Sequence, residues 1–418
     1  MPKIIIEGGH ELTGTITVSG AKNSVVALIP AAILCDENIK ISNVPNITDV
    51  DDLENILVHL NAEVKREDGI IEINASNIIN QEITYELSKK LRASYYFMGA
   101  LLGKFNKVDM YFPGGCTIGA RPINLHLKGF ELLGAKITEE DNHFIIEADQ
   151  LKGNNIYLDF PSVGATINIM LAAVKAKGKT IIDNAAQEPE IVNIATFLNN
   201  MGAKIKGAGT STITIVGVKH LHSCFHEVIP DRIEAGTYLI IGALLGKQLK
   251  IDNMIPNHLE ALIAKLSEAG VDMEIGIDNI IINGTNKNYK AVDIKTLVYP
   301  GFATDLQQVM ATFLTQCNGK SLVEETIYEN RFQNLLEMEK MGAQFKIAKN
   351  NQKATIKGKT PLVGTVVEAT DLRGGASLLV AGLIAEGTTT IENISYILRG
   401  YEGIADKLTE VGAKIEII

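Results

Sequence analysis

The chain repeats itself six times. A turn marker followed by a strand recurs as LNAEVK, LGAKIT, MGAKIK, AGVDME, MGAQFK and VGAKIE, with its second residue at 61, 134, 202, 270, 342 and 412. A second marker, an apolar helix rich in small residues, opens at 22, 92, 165, 232, 304 and 373. Neighbouring copies of either marker lie 67 to 73 residues apart. Two independent markers with one period make chance a poor explanation.

Each repeat reads as strand, buried helix, strand, second helix, two strands. The first helix, as in ATINIMLAAVKAKG from 165, is apolar on most faces and must be enclosed. The second, as in EPEIVNIATFLNNM, carries apolar residues at three- and four-residue spacing and must lie on a surface. The strands are short, rich in Ile and Val, and bounded by turns. At 418 residues the chain exceeds one compact core. The expected fold is a two-domain inside-out α/β barrel with three repeats per domain, unlike a TIM barrel, whose strands lie inside. The expected boundaries are residues 22–229, a UDP-sugar-side domain carrying a loop at 111–126, and residues 1–21 plus 230–418. Parallel buried helices would place their N-termini at one end of each domain, where unpaired N–H groups favour anions.

Of the 39 basic residues only seven are arginine: Arg66, Arg92, Arg121, Arg232, Arg331, Arg373 and Arg399. All but Arg66 stand in short motifs containing Gly, Asp or Glu. A chain that uses Lys for solvated charge keeps Arg where a planar fork must meet a carboxylate or phosphate. Structural ion pairs are the other reading. The net charge of −10 argues against nucleic acid as the main partner. No apolar run suffices for a membrane span, and MPKIIIEGGHEL lacks a signal-peptide pattern. Four scattered cysteines fit a reducing cytoplasm rather than a disulfide framework.

The segment YFPGGCTIGARPINLH from 111 holds Cys116 between glycines, five residues before Arg121. It reads as a long loop with a candidate reactive thiol, or as a turn with an incidental cysteine. Asp305, at a helix start, reads as a general base or as an ordinary complement to the helix dipole. Asp371 and Asp231 stand beside arginines and are open to the same two readings, with orienting those arginines as a further one. His220, His222, Cys224 and His226 alternate and would share one face of a strand; an exposed strand at a domain crossing is favoured over a metal site. Cys35 and Cys317 read as core residues. No P-loop or G-x-G-x-x-G follows a strand.

The motifs SGAKNS (19–24), LRAS (91–94), PGGCTIGARP (113–122), FPSVGAT (160–166), EPE (188–190), PDRIEAGTY (230–238), YPGFATD (299–305), ENRF (329–332), ATDLRGGASL (369–378) and RGYE (399–402) span the chain. With them it resembles the UDP-N-acetylglucosamine 1-carboxyvinyltransferases, the enolpyruvyl transferases of peptidoglycan synthesis. The resemblance implies a cytoplasmic enzyme that adds the 3-hydroxyl of UDP-N-acetylglucosamine to phosphoenolpyruvate and then eliminates phosphate. It implies no metal or organic cofactor; the expected partners are the two small-molecule substrates, with neither nucleic acid nor membrane, and a monomer is expected.

Carried over by motif, Cys116 is the implied general acid and Asp305 the base, with Lys22 and Arg399 completing the catalytic set. Lys22, Asn23, Arg121 and Arg399 are implied to hold the phosphoenolpyruvate, with Arg331 and Arg373 near its carboxylate. Asn23, Arg92, Arg121, Pro122, Ile123, Asn124, Leu125, Ser162, Val163, Gly164, Asp305 and Ile327 are implied to hold the UDP-sugar. His126, Glu188 and Asp371 are secondary candidates. Two alternatives stand beside this reading: a non-catalytic UDP-sugar-binding paralogue, and a 5-enolpyruvylshikimate-3-phosphate synthase.

Overall fold

A computed structural model describes residues 2–112, 123–284 and 288–418. These fall into two compact units, residues 20–112 with 123–229, and residues 2–19 with 230–418. Each unit has its own hydrophobic core.

At the centre of each core stand three helices. In the first unit they are α1 (Lys22–Ala32), α2 (Tyr96–Phe105) and α3 (Val163–Ala173). In the second they are α4 (Arg232–Leu245), α5 (Thr304–Leu314) and α6 (Leu372–Ile384). Every residue of α4 from Ile233 onward is buried, as is every residue of α5 from Leu306 onward. Most of their residues are apolar or small, and the buried polar ones, Glu234 on α4 and Gln307 and Gln308 on α5, lie within the core as well. The second helices behave differently. Thr48–His59 buries Asp49, Val50, Leu53, Ile56 and Leu57 and leaves its other face outward.

Each unit walls these helices with three sheets. The strand before a buried helix pairs in parallel with the strand after it, as a helical crossover permits. Asn155–Tyr157 joins Lys179–Asp183 around α3, Ile294–Lys295 joins Gly319–Glu324 around α5, and Val366–Glu368 joins Thr388–Glu392 around α6. Around α2 the first strand shrinks to a single bridge, Ile83 to Met110. Two antiparallel strands complete each sheet, as Thr212–Val216 and Lys204–Lys206 do beside Lys179–Asp183.

At α1 and α4 the rule holds with partners exchanged. Leu12–Thr17, which precedes α1, pairs with Gly246–Asp252, which follows α4. Phe225–Glu227, which precedes α4, pairs with Asn38–Ser42, which follows α1. Each pairing stays inside one unit. Ile4–Glu7 runs antiparallel between Thr388–Glu392 and Lys414–Ile417.

Two local expectations need correction, at Arg92 and at residues 220–226. Arg399 stands at the end of Ser395–Leu398, and Ile404–Glu410 follows separately. The break falls at Gly403, whose φ of +53° is left-handed. Arg92 opens a short 3-10 turn, Arg92–Tyr95, rather than α2 itself. Of residues 220–226, only Phe225–Glu227 forms strand, so the alternating His and Cys residues share no common face. His226 instead turns inward, accepting at Nε2 from Asn193 Nδ2 at 3.0 Å.

Candidate active site

The second unit gathers its charged residues at the starts of α5 and α6. Asp305 stands in the first turn of α5. Arg331 Nη2 donates to its Oδ1 at 2.6 Å, and Arg373 Nε and Nη2 both donate to its Oδ2 at 3.3 Å. Both guanidinium groups are almost wholly buried while the carboxylate between them is about a quarter exposed, at 28 %. Such charge-assisted bonds are roughly twice as strong as neutral ones.

Gln308 and Asp371 complete the cluster. Gln308, one turn after Asp305, accepts from Arg331 Nη1 at 3.1 Å and donates to Asp371 Oδ2 at 3.1 Å. Asp371 caps α6, its Oδ1 accepting from the backbone N–H groups of Arg373 and Gly374, each at 3.0 Å. The cap therefore fixes the position from which Arg373 reaches Asp305. Each guanidinium also covers an aromatic ring, Arg331 on Tyr328 at 5.1 Å and Arg373 on Tyr401 at 5.4 Å. Arg331 Nε and Arg373 Nη1 are buried with no hydrogen-bond partner among the described residues. Buried orphan donors are rare, and beside an exposed carboxylate they suit a site that takes an anion.

Ile327 belongs to the same surroundings through its backbone. Its N–H donates to Glu325 Oε1 at 2.8 Å. The buried Glu325 also accepts from Thr296 Oγ1 at 2.8 Å and from Thr304 Oγ1 at 3.0 Å, which ties this turn to the start of α5. Arg399 is half-buried after Ser395–Leu398. Arg232 opens α4 and lies over the Tyr299 ring at 5.5 Å.

The first unit carries the rest of the predicted set. Lys22 is the first residue of α1, and its Nζ meets Asp49 Oδ2 at 2.8 Å. Asn23 follows it, half-buried. Arg92 lies over the Phe112 ring at 5.7 Å. Ser162 caps α3 by accepting from Ala165 N–H at 3.3 Å, and Val163 and Gly164 form its first turn. Glu188 stands immediately before Pro189–Asn200, without a side-chain capping bond. Ile123 is buried, Asn124 exposed and Leu125 half-buried at the start of Asn124–Leu132. His126 is buried in that helix, its Nδ1 accepting from Asn168 Nδ2 at 2.9 Å. Burial, and then the Arg92 charge, push its pKa down to about 3. Cys116, Arg121 and Pro122 lie outside the described residues.

Several members of these clusters escaped sequence reasoning: Asp49 under Lys22, Gln308 and Glu325 behind Asp305, and Asn168 behind His126. Gln308 had one usable signal, its spacing of three from Asp305, which puts both on one helix face. One group of described residues has ligand atoms close enough for a metal, Glu82, Asp109 and His143. Within it His143 Nε2 pairs with Asp109 Oδ1 at 2.7 Å, and Tyr111 stacks on the imidazole.

A family model described as EPSP synthase (3-phosphoshikimate 1-carboxyvinyltransferase) matches residues 6–408. UDP-N-acetylglucosamine 1-carboxyvinyltransferase 2 of Listeria monocytogenes is 53% identical over 413 residues, spanning 99% of this chain and 97% of that protein. The chain belongs to the UDP-N-acetylglucosamine 1-carboxyvinyltransferase family. A Bacillus cereus member of that family, also a 1-carboxyvinyltransferase 2, is 53% identical over 417 residues, covering 99% of this chain and 96% of its own. Among solved structures, the enolpyruvyl transferase NikO from Streptomyces tendae aligns with a TM-score of 0.90 at 26% identity, over 100% of this chain and 99% of NikO. EPSP synthase from Acinetobacter baumannii aligns at 0.75 and 18% identity over the whole of both chains, a likeness of fold. The two-domain, six-repeat architecture is thus that of the enolpyruvyl transferases. No described helix is long and apolar enough to cross a membrane.

Proposed function

We propose that this chain transfers the enolpyruvyl group of phosphoenolpyruvate to the 3-hydroxyl of UDP-N-acetylglucosamine, releasing phosphate in the first committed step of peptidoglycan synthesis. One observation carries the reading. A carboxylate at a helix start is gripped by two buried arginines with donors to spare, in a chain 53% identical over 413 residues to an enzyme of that name.

In this reading Asp305 takes the proton from the sugar hydroxyl as its oxygen bonds to C2 of phosphoenolpyruvate. The Cys116 thiol delivers a proton to C3, giving a tetrahedral ketal phosphate. Loss of a C3 proton and cleavage of the C2–O bond to phosphate then leave the enol ether. Arg331 and Arg373 face the substrate carboxylate, while Lys22, Asn23, Arg121 and Arg399 hold the phosphate. Asn23, Arg92, residues 121–125, Ser162, Val163, Gly164, Asp305 and Ile327 hold the UDP-sugar. Placing fixed cations where charge develops avoids reorganisation during the reaction. The residues act without metal or organic cofactor.

Phosphate release from phosphoenolpyruvate tests the reading. Release is expected with UDP-N-acetylglucosamine and not with shikimate 3-phosphate; release with neither would favour a non-catalytic paralogue. The epoxide fosfomycin is expected to alkylate Cys116. An intact mass without the adduct, or an adduct mapped to another cysteine, would overturn the role given to that thiol.

A further inference from the structure

Asn168 lies fully buried on α3, between α2 and the helix that carries His126. Its Oδ1 accepts the backbone N–H of Gly99 at 2.8 Å. A backbone N–H can only donate, so the orientation of this amide is determined by the chain and is not arbitrary. The opposite side of the amide is therefore NH2, and it lies 2.9 Å from His126 Nδ1. An NH2 group can only donate as well, so Nδ1 of His126 accepts and carries no proton. A neutral imidazole with a bare Nδ1 holds its proton on Nε2. The depressed pKa of the ring, about 3, agrees with that geometry.

Nε2 points at the beginning of α3. A Cβ built on Gly164 would lie 3.1 Å from Nε2, 2.9 Å from Cε1 and 3.0 Å from the Tyr95 hydroxyl. Tyr95 meets the imidazole edge-on, with centroids 5.1 Å apart, and Arg92 is the charged neighbour. His126 is only 5 % exposed, yet its Nε2–H has no hydrogen-bond partner among the described residues. The opening N–H groups of α3, an 11-residue helix, lie at the same place. The Nε2 edge of a ring whose residue is buried, and a helix start, converge on one small space, and both favour an anionic oxygen.

We propose that Asn168 is a positioning residue for the UDP-sugar: through the Gly99 N–H it locks His126 in the Nε2–H tautomer, and that N–H is donated to an anionic oxygen of the ligand at the start of α3. The identity of the ligand rests on the substrate proposed above, whereas the tautomer is a property of the unliganded protein. Asn168 touches no ligand; it acts through His126.

Long-range proton–nitrogen spectra of the full chain labelled in histidine test both halves. Between pH 6 and 9 one ring is expected to show a bare Nδ1 and a protonated Nε2 without titrating, and to vanish in His126→Gln. In Asn168→Asp the Gly99 bond survives but the group facing Nδ1 becomes an acceptor, so Nδ1 should gain a proton. That variant should raise KM for UDP-N-acetylglucosamine roughly tenfold, the loss of about one hydrogen bond to charge, with KM for phosphoenolpyruvate unchanged. In the wild type, UDP-N-acetylglucosamine should shift the Nε2 resonance. A protonated Nδ1 in the wild-type ring, nitrogen signals unmoved in Asn168→Asp, or an Nε2 resonance indifferent to saturating ligand would overturn the proposal. Absence of turnover alongside the Nε2–H pattern would overturn the substrate reading and leave the lock standing.

Discussion

Asp305 receives donors from arginines 26 and 68 residues further along the chain, and neither arginine reaches it by a flexible arm. Arg331 is held by Gln308, and Arg373 is set by the Asp371 cap. The cost of a substitution here depends on which fork is lost. Asp305→Asn is expected to lower kcat about 10²–10⁴-fold, the usual contribution of a general base, in steady-state phosphate release. Arg331→Lys keeps the charge but loses the planar fork, since one ammonium cannot serve Asp305 and Gln308 together. It should cost roughly 10- to 100-fold in kcat/KM for phosphoenolpyruvate. An Arg331→Lys enzyme with wild-type kinetics would remove the fork from the argument. The scarcity of arginine made Arg331 and Arg373 visible in the sequence. Their convergence on one carboxylate was not visible, because nothing local in ENRF or DLRGG encodes a partner so far away. Asp49 was hidden for a related reason: in TDVDDL it looks like any acid in the first turn of a helix, yet it lies buried against Lys22.

At the level of elements, the buried helices owe their packing to glycine. Gly99 and Gly103, one turn apart on α2, face α3. A Cβ at Gly99 would lie 2.4 Å from the Asn168 carbonyl oxygen, and one at Gly103 would lie 2.7 Å from that of Leu171. Both are backbone atoms, so no side chain can swing aside. Gly103→Ala should destabilise the protein by about 1–3 kcal/mol through overpacking, read as a lower urea midpoint. A midpoint at or above the wild-type value would mean the two helices have room to spare. The small-residue motif FMGALLG announced an enclosed helix, and its period of about 70 residues was legible throughout. The sequence already assigned residues 1–21 to the second domain, but the particular partners of the strands beside α1 and α4 were not legible. A two- or three-residue strand such as Phe225–Glu227 carries too little pattern to declare its partner, and repeat periodicity alone pairs each strand with its own repeat.

For the molecule as a whole, acid is expected to act first on residues 20–229. Burial pushes His226 down to about 4 and His126 down to about 3, and both lie in that unit. An unfolded histidine titrates near 6.5. Above that value neither state holds the proton. Below it the unfolded chain binds a proton the folded unit refuses, so stability falls as pH falls from about 6.5 towards the folded values. The slope is up to about 1.4 kcal/mol per pH unit for each ring. Urea unfolding at pH 7.5 and pH 5.0 should show the wild type losing stability on acidification, and His226→Gln losing roughly 1–2 kcal/mol less. Equal losses in both proteins would mean that His226 does not drive the acid response.

Ile4–Glu7 lies between strands that end at Glu392 and Ile417, and Leu12–Thr17 pairs with residues beyond 245. A chain leaving the ribosome therefore releases these two strands long before their partners exist. The unit of residues 20–112 with 123–229 holds every described strand its own sheets require, so it can finish folding while translation continues. The other unit must keep its earliest strand unpaired until residues 388–417 have been made. Nascent-chain protection there should come late and all at once.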